Sequence, residues 1–154
     1  MDKIAAVPGG FANTCVRGSY AEVPPGLAPL ASLGCSPDVA TTGASEVVVR
    51  QFRPTTGFGG HAPGSYTLKS IFTMYPFANL PPVDCAVSSP AIGPWSFAGQ
   101  APGTLACYSD ETTGDALLYW SYDAAAILVR ARNPKGDAAA LYSFFDKYAK
   151  FIAP

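Results

Sequence analysis

The spacing of its four cysteines is the feature that most constrains this chain. Cys15 and Cys35 are 20 positions apart, and Cys85 and Cys107 are 22 positions apart. Neither spacing matches the C-x-x-C pair of a zinc knuckle or a redox centre. A dispersed, even set of cysteines predicts two disulfides, which persist in an oxidising compartment. Four buried thiols in a cytosolic protein are the alternative.

The landmarks around these cysteines occur twice in the same order. Each half has Phe-Ala-Asn before its first cysteine, a strand-like run that ends in proline, and a helical run (Phe11, 47–54 and 66–75; Phe77, 127–134 and 139–148). The repeated order predicts two related halves, 11–76 and 77–152. Each half then carries its own disulfide, Cys15–Cys35 and Cys85–Cys107. Closing loops of this length stabilises a fold by about 3 kcal/mol each in the chain-entropy model.

The pattern of apolar residues predicts a single α+β domain over 1–154, with helices packed on an antiparallel sheet. Strands are predicted at 46–53, 104–109, 115–122 and 125–132. Helices are predicted near 29–33, from Ser65 to Pro76, and after the capping residue Asp137. The last two helices are expected to bury Leu68, Ile71, Phe72 and Tyr75, and Leu141, Phe144, Phe145, Tyr148 and Ile152. The core is also expected to contain Tyr119, Trp120 and Tyr122.

Composition narrows the class of partner. Only 14% of the residues are charged, and the net charge is −1. No basic stripe is available for nucleic-acid phosphates or an anionic membrane surface, so neither partner is expected. No apolar run reaches the roughly 18 residues of a transmembrane span, and Ile4–Val7 is too short for a signal-peptide core. The chain is therefore cytosolic, or Met1 follows a removed leader or anchor. The cysteines favour an extracytoplasmic protein, secreted or held by a membrane tether outside this sequence.

The chain contains no recognisable catalytic motif. It lacks the G-x-S-x-G nucleophile elbow, and one histidine, His61, is too few for zinc-hydrolase chemistry. The glycine-rich stretch 57–64 fits neither the dinucleotide nor the phosphate-loop pattern. Asp110, Glu111 and Asp115 cluster as hydrolase carboxylates do, but they flank a hairpin turn, where aspartate is common. No metal, no cofactor and no enzyme activity are expected.

Three arginines are the first set of candidate binding residues. Arg50 and Arg130 occupy equivalent positions in the two halves, and Arg132 lies on the same strand face as Arg130. Three guanidinium groups beside one sheet suit an anionic ligand, because each donates several directed hydrogen bonds. The alternative is pairing with nearby carboxylates such as Glu46 or Asp123.

The loop 54–64 is the second candidate surface. It is glycine-rich, contains Phe58 and the chain's single histidine, His61, and has no counterpart of its length in the second half. An insertion in one copy is a common place for function, and a few anchors carry most of the energy of an interface. Arg50 and Arg53, which precede the loop, would add hydrogen bonds to an acidic or carbonyl-rich partner. An ordinary solvated loop is the alternative.

The second half carries a further pattern, formed by Cys107-Tyr108, a strand ending in Trp120, the strand Ile127–Val129, Asp137 with Leu141, and the pair Phe144-Phe145. In this pattern it resembles a domain of actinobacterial extracytoplasmic proteins, carried by serine/threonine-kinase-type receptors and by lipoproteins. That family usually has threonine where this chain has Ser121, and two tryptophans where this chain has two phenylalanines. The resemblance implies a disulfide-bonded, non-catalytic module that binds a ligand or partner. It implies no particular binding residue.

These observations favour an extracytoplasmic sensor domain that binds an unknown small ligand or protein without catalysis. A structural or assembly subunit of a surface or particle is the first alternative, suggested by the low charge. A small enzyme with an unrecognised site is the second.

Overall fold

The computed structural model describes residues 12–18, 29–52 and 68–152. Its strands are β1 (Cys15–Arg17), β2 (Ala31–Cys35), β3 (Glu46–Gln51), β4 (Ala91–Phe97), β5 (Gln100–Ser109), β6 (Ala116–Tyr122) and β7 (Ile127–Asn133). Its helices are α1 (Val39–Thr42), α2 (Leu68–Ile71) and α3 (Ala138–Ile152), with 3-10 turns at Ala12–Thr14, Phe77–Asn79 and Asp123–Ala125. The strands form one antiparallel sheet in the order β1-β2-β3-β7-β6-β5-β4. The predicted α+β class is therefore confirmed.

The helix predicted near 29–33 is wrong, because this segment is strand β2. Its residue Leu33 pairs with Arg17 of β1 on one side and with Val49 of β3 on the other. Backbone hydrogen bonds from two neighbouring strands outweigh the weak local preference of five residues for a helix. Pro29, at the start of the predicted helix, instead precedes the strand.

Two further elements had weak or misleading sequence signals. Strand β4 contains Gly93 and Pro94, which normally argue against a strand, but β4 is an edge strand, where proline is tolerated. Helix α1 is a single turn that begins where the Asp38 carboxylate accepts a hydrogen bond from the Ala40 amide at 3.2 Å. It ends at Gly43, whose φ of 85° favours glycine.

The helix predicted between residues 65 and 76 is confirmed only in part. Leu68, Ile71 and Phe72 are buried as predicted, whereas the predicted helix cap, Ser65, lies outside the described residues. The expectation for Tyr75 is wrong, because α2 ends at Ile71 and the Tyr75 side chain is 87% exposed. A tight turn after α2 redirects the chain and removes Tyr75 from the buried face.

One side of the sheet, the α3 face, carries the larger core. It consists of side chains that alternate along the strands and pack beneath α3, including Val47, Val49, Leu105, Leu118, Trp120, Tyr122, Ile127 and Val129. The rings of Trp120 and Phe145 meet edge to face at 5.3 Å. Helix α3 begins as predicted, since Asp137 accepts a hydrogen bond from the Ala140 amide at 2.9 Å. The prediction that Trp120 and Phe145 are core residues is confirmed.

The opposite side of the sheet is the arginine face. It carries Val48, Arg50, Ala106, Tyr108, Leu117, Tyr119, Leu128, Arg130 and Arg132. Leu68 and Ile71 of α2, with Phe72 and Phe77, pack against Ala106 and Leu128 and cover part of it. The sheet is therefore covered on both sides, by α3 on one and by α2 with the following turn on the other.

Both predicted disulfides are present, Cys15–Cys35 and Cys85–Cys107. The first joins directly opposite residues of β1 and β2 and holds the short edge strand in place. The second ties the segment before β4 to β5, and its Cys107 lies in the core of the α3 face. Each cross-link removes freedom from the unfolded chain and thereby favours the folded state.

The internal repeat stays a prediction. Val49 and Val129, equivalent positions of the two proposed halves, lie directly opposite each other where β3 pairs with β7. However, α2 and α3 cover opposite faces of the sheet. The connection from the second cysteine to the valine-rich strand is α1 in the first half and β6 in the second. The two halves therefore share landmarks without sharing one arrangement of elements.

Candidate functional site

Strands β3 and β7 bring the three candidate arginines onto one face. Arg50 lies opposite Leu128, and Arg130 lies opposite Val48, in adjacent rows of the same strand pair. Glu46 lies opposite Arg132 one row further along. The sequence-predicted grouping of Arg50, Arg130 and Arg132 is thus a real feature of the fold. Their role in ligand binding stays a prediction.

Carboxylates neutralise two of these arginines. Arg130 forms an ion pair with Glu46, a partner that the sequence suggested. Arg132 donates to Asp115 at 2.9 Å, a pairing that depends on the turn before β6 and has no signal in the sequence. Asp123, the other expected partner, instead accepts a hydrogen bond from Ser121 at 2.7 Å. An anionic ligand would have to compete with these carboxylates.

Arg50 is the exception within this cluster. Its side chain is 1% exposed, and its Nε and Nη2 atoms have no hydrogen-bond acceptor among the described residues. Burial lowers the pKa of Arg50, while nearby Tyr119 and Glu46 raise it. A guanidinium is charged under all physiological conditions, so this position carries a buried positive charge with unused donors.

Two tyrosines connect Arg50 to the outer part of the same face. The rings of Tyr119 and Tyr108 stack with centroids 6.2 Å apart. Phe77 packs its edge on Tyr119 at 4.9 Å and on Tyr108 at 6.0 Å. Burial raises the pKa of both tyrosines, most strongly that of Tyr119. Both hydroxyls are therefore neutral at physiological pH.

The Tyr75 groove is an open cavity of about 560 Å³ at the end of this tyrosine row. The lining residues used below are Tyr75, Pro76, Leu80, Tyr108, Asp110 and Glu111. One wall is the segment after α2, which Phe77 anchors to the sheet through its aromatic contacts. The other wall is the turn between β5 and β6. The groove therefore joins two parts of the chain that are distant in sequence.

The second wall confirms the predicted hairpin turn. Asp110 accepts hydrogen bonds from the amides of Thr112 at 2.8 Å and Thr113 at 2.9 Å, and Gly114 adopts the positive φ that closes the turn. These two amides hold the pKa of Asp110 below its usual value. Asp110 is consequently ionised over the whole physiological range. Its role in the turn leaves the neighbouring Glu111 side chain exposed at the groove.

A second cavity, of about 380 Å³, lies between α1 and the start of α3. Two of its polar residues hold these elements together: Asn133 donates to the Gly43 carbonyl at 2.9 Å, and Asp137 caps α3. Gly43 approaches the backbone of Ala140 so closely that a Cβ atom there would lie 2.4 Å from its oxygen. This cavity is therefore a by-product of a tight structural junction.

Arg53, Phe58 and His61 lie outside the described residues, so the loop surface predicted from them stays a prediction. Within residues 12–18, 29–52 and 68–152, no group of three His, Cys, Asp or Glu side chains is placed to hold a metal ion. No helix in the same ranges combines the length and apolar character needed to cross a membrane.

No protein-family model, curated protein or solved structure matches this chain.

Proposed function

We propose that this chain is an extracytoplasmic, disulfide-stabilised, non-catalytic binding domain whose ligand or partner contacts the Tyr75 groove. The observation that carries the proposal is the groove itself. Its volume of about 560 Å³ falls within the range of small-molecule sites, roughly 300–1,000 Å³. Its two walls are held in position by aromatic packing and by a hydrogen-bonded turn.

The two disulfides support the proposed compartment, since such cross-links are typical of proteins from oxidising environments. The resemblance of the second half to the ectodomains of actinobacterial receptor kinases and lipoproteins supports a sensor-type role. In that arrangement a membrane tether would lie outside this sequence, and ligand occupancy of the groove would be the signal.

A fragment screen read by amide NMR of the oxidised, ¹⁵N-labelled protein tests this function. We expect the shifts caused by binding fragments to concentrate at residues 75–80 and 108–112, because preformed grooves of this size collect fragments. The smaller cavity between α1 and α3 is the internal control, because Asn133 and Asp137 at its base are already hydrogen-bonded within the fold. Shifts that concentrate there, or a screen in which the groove amides never move, would overturn the proposed site.

Sedimentation velocity distinguishes the proposed domain from an assembly subunit. We expect a monomer whose sedimentation coefficient is independent of protein concentration. Concentration-dependent growth into closed or open assemblies would favour the structural alternative instead.

A further inference from the structure

The Tyr75 groove has a one-sided charge. Asp110 and Glu111 line it, and no Lys, Arg or His is among the described residues that do so. Asp110 remains ionised because the turn amides stabilise its carboxylate. Glu111 is exposed and forms no ion pair with any described residue. The groove therefore presents two negative charges to whatever enters it.

The arginines on the same face of the sheet do little to cancel this charge. Arg132, the nearest in the strand register, lies across β6 from Tyr108 and is paired with Asp115. Arg130 is paired with Glu46. Neutral ion pairs about two strand spacings away, roughly 10 Å, have little effect on a solvated groove, where the screening length is about 8 Å. Arg50 has no ion pair with a described residue, but it lies in β3, three strand spacings from Tyr108 in β5, roughly 14 Å. The charges nearest to the groove are therefore its own carboxylates.

Aromatic rings supply the second element of the groove. Tyr75 is 87% exposed and is the most exposed large apolar side chain among the described residues. Tyr108 is half-buried on the same cavity, with its ring held by Tyr119 and Phe77. Exposed aromatic faces beside carboxylates are the combination that attracts organic cations, because the ring face carries negative charge density.

We propose that the Tyr75 groove binds an organic cation, an alkylammonium or guanidinium group on an apolar stem, between the rings of Tyr75 and Tyr108 and the carboxylates of Asp110 and Glu111. The inference rests on the proposed function and names the chemistry of its ligand. The shared chemistry has two sources, a free amine or the side chain of a partner's lysine or arginine. Pro76 and Leu80 supply the apolar surface for the stem.

The pKa of Tyr108 is consistent with Tyr75 and Asp110 lying near it in the groove. Burial raises the pKa of Tyr108 most, and Asp110 and Tyr75 raise it further. Both groups are therefore close enough to influence the Tyr108 hydroxyl, although they come from opposite walls. A cation placed among them meets two rings and at least one carboxylate simultaneously.

An NMR titration of the full, oxidised chain with four probes tests the proposal. The probes are choline, its neutral isostere 3,3-dimethylbutan-1-ol, an acetylated and amidated Gly-Lys-Gly peptide, and the corresponding Gly-Glu-Gly peptide. We expect choline or the lysine peptide to shift the amides at 75–80 and 108–112 with a dissociation constant in the millimolar range. Raising the salt from about 50 mM to about 500 mM should weaken this binding. Choline alone would indicate a free amine, and the lysine peptide alone a protein partner.

Matched variants separate the two components of the site. Tyr75→Ala and Glu111→Gln should each weaken choline binding about two- to five-fold, as expected for an exposed cation–aromatic contact or ion pair. Phe97→Ala removes an exposed ring at the end of β4, and Asp146→Asn removes an exposed charge from α3. These controls should bind choline as the unaltered chain does. All four residues are on the surface, so the melting temperature should change little.

The outcomes distinguish this inference from the proposed function. Equal shifts by choline and its neutral isostere would overturn the cation proposal but leave a ligand groove intact. The cation proposal is also overturned, and the groove again left intact, if screened fragments bind the groove while choline and the lysine peptide do not. The same conclusion follows if the glutamate peptide binds more tightly than the lysine peptide. If no probe and no fragment moves the groove amides, both proposals are overturned. Cation shifts abolished by Asp146→Asn would place the contact on α3 and would also contradict the inference.

Discussion

The two faces of the sheet are built by neighbouring residues of the same strands, yet they differ in character. In β7, Ile127 and Val129 enter the core beneath α3, while Arg130 and Arg132 project from the other side. The α3 face contains apolar packing and both disulfides. The arginine face contains a smaller apolar cluster beside α2, together with ion pairs, a buried guanidinium, a row of tyrosines and the Tyr75 groove.

This difference indicates that the two faces contribute differently to folding and to binding. The α3 face removes a large apolar area from water, which is the main source of folding free energy. The arginine face buries polar groups whose pairing contributes little net stability, because desolvation offsets their attraction. Polar groups that are kept despite this cost are candidates for a role in recognition. The proposed binding groove lies on the same face as these groups.

The largest effect expected from this comparison is that of Trp120→Ala. Trp120 is fully buried on the α3 face and packs against Phe145, so its truncation should lower the free energy of unfolding by about 3–5 kcal/mol. Leu117→Ala, on the arginine face of the same strand, should cost less, about 2 kcal/mol. Urea unfolding, followed by far-UV circular dichroism, measures the free energy of unfolding of both variants. Equal losses would remove the distinction between the faces.

Removing one disulfide should have the next largest effect. Replacing Cys85 and Cys107 together by alanine should lower the free energy of unfolding by about 3 kcal/mol, and the same holds for Cys15 and Cys35. Peptide mapping without reductant should recover Cys15–Cys35 and Cys85–Cys107. A peptide linking Cys15 to Cys107 or Cys35 to Cys85 would contradict the pairing, and four free thiols would contradict the oxidising compartment as well.

Removing a charge from the arginine face should have a smaller effect that depends on which charge is removed. Glu46→Gln removes the ion pair between Arg130 and Glu46 and should cost about 1–2 kcal/mol, less than in a dry core because the Glu46 side chain is 33% exposed. Arg50→Met replaces a buried cation with unused donors and should be neutral or stabilising. Thermal unfolding compares them. A large loss on Arg50→Met would show that Arg50 has an energetically important partner.

The smallest expected effect is a loss of folding stability at alkaline pH that depends on Tyr122 on the α3 face. Burial raises the pKa of Tyr122 well above its usual value, and its hydroxyl donates to the Ala149 carbonyl. A raised folded-state pKa means that stability is fully present below the unfolded pKa, about 10, and declines as pH rises above it. At pH of about 11 the wild type should therefore lose about 1 kcal/mol more than Tyr122→Phe does. Parallel urea titrations at the two pH values measure this, and identical losses would contradict burial.

The sequence predicted the strands and the cysteine pairs best, for physical reasons. The runs at 46–53 and 115–122 are β-branched or aromatic, and they form β3 and β6 because their residues suit a sheet covered on both sides. Strand β4 was missed because Gly93 and Pro94 are breakers, and only its position at the sheet edge permits them.

The candidate site was less accessible to sequence reasoning. The arginine grouping could be predicted, because Arg130 and Arg132 alternate along one strand. The Tyr75 groove could not, because it depends on a tertiary contact between the segment after α2 and the turn after β5. The turn was predicted from Asp110, but Tyr75 looked like a core residue on helical spacing. Tyr75 is exposed because α2 ends early, at Ile71, and the local sequence does not predict this end.

The central claim is that the α3 face holds the fold while the groove on the arginine face binds the ligand. Measuring choline affinity and unfolding free energy for Tyr75→Ala and Ile127→Val tests it most directly. Ile127 is buried beneath α3, so Ile127→Val should lose about 1 kcal/mol of stability and bind choline as before. Tyr75→Ala should keep its stability and bind choline more weakly. If Tyr75→Ala loses stability and keeps its affinity, or Ile127→Val loses affinity, the two faces do not divide folding from binding and the account is wrong.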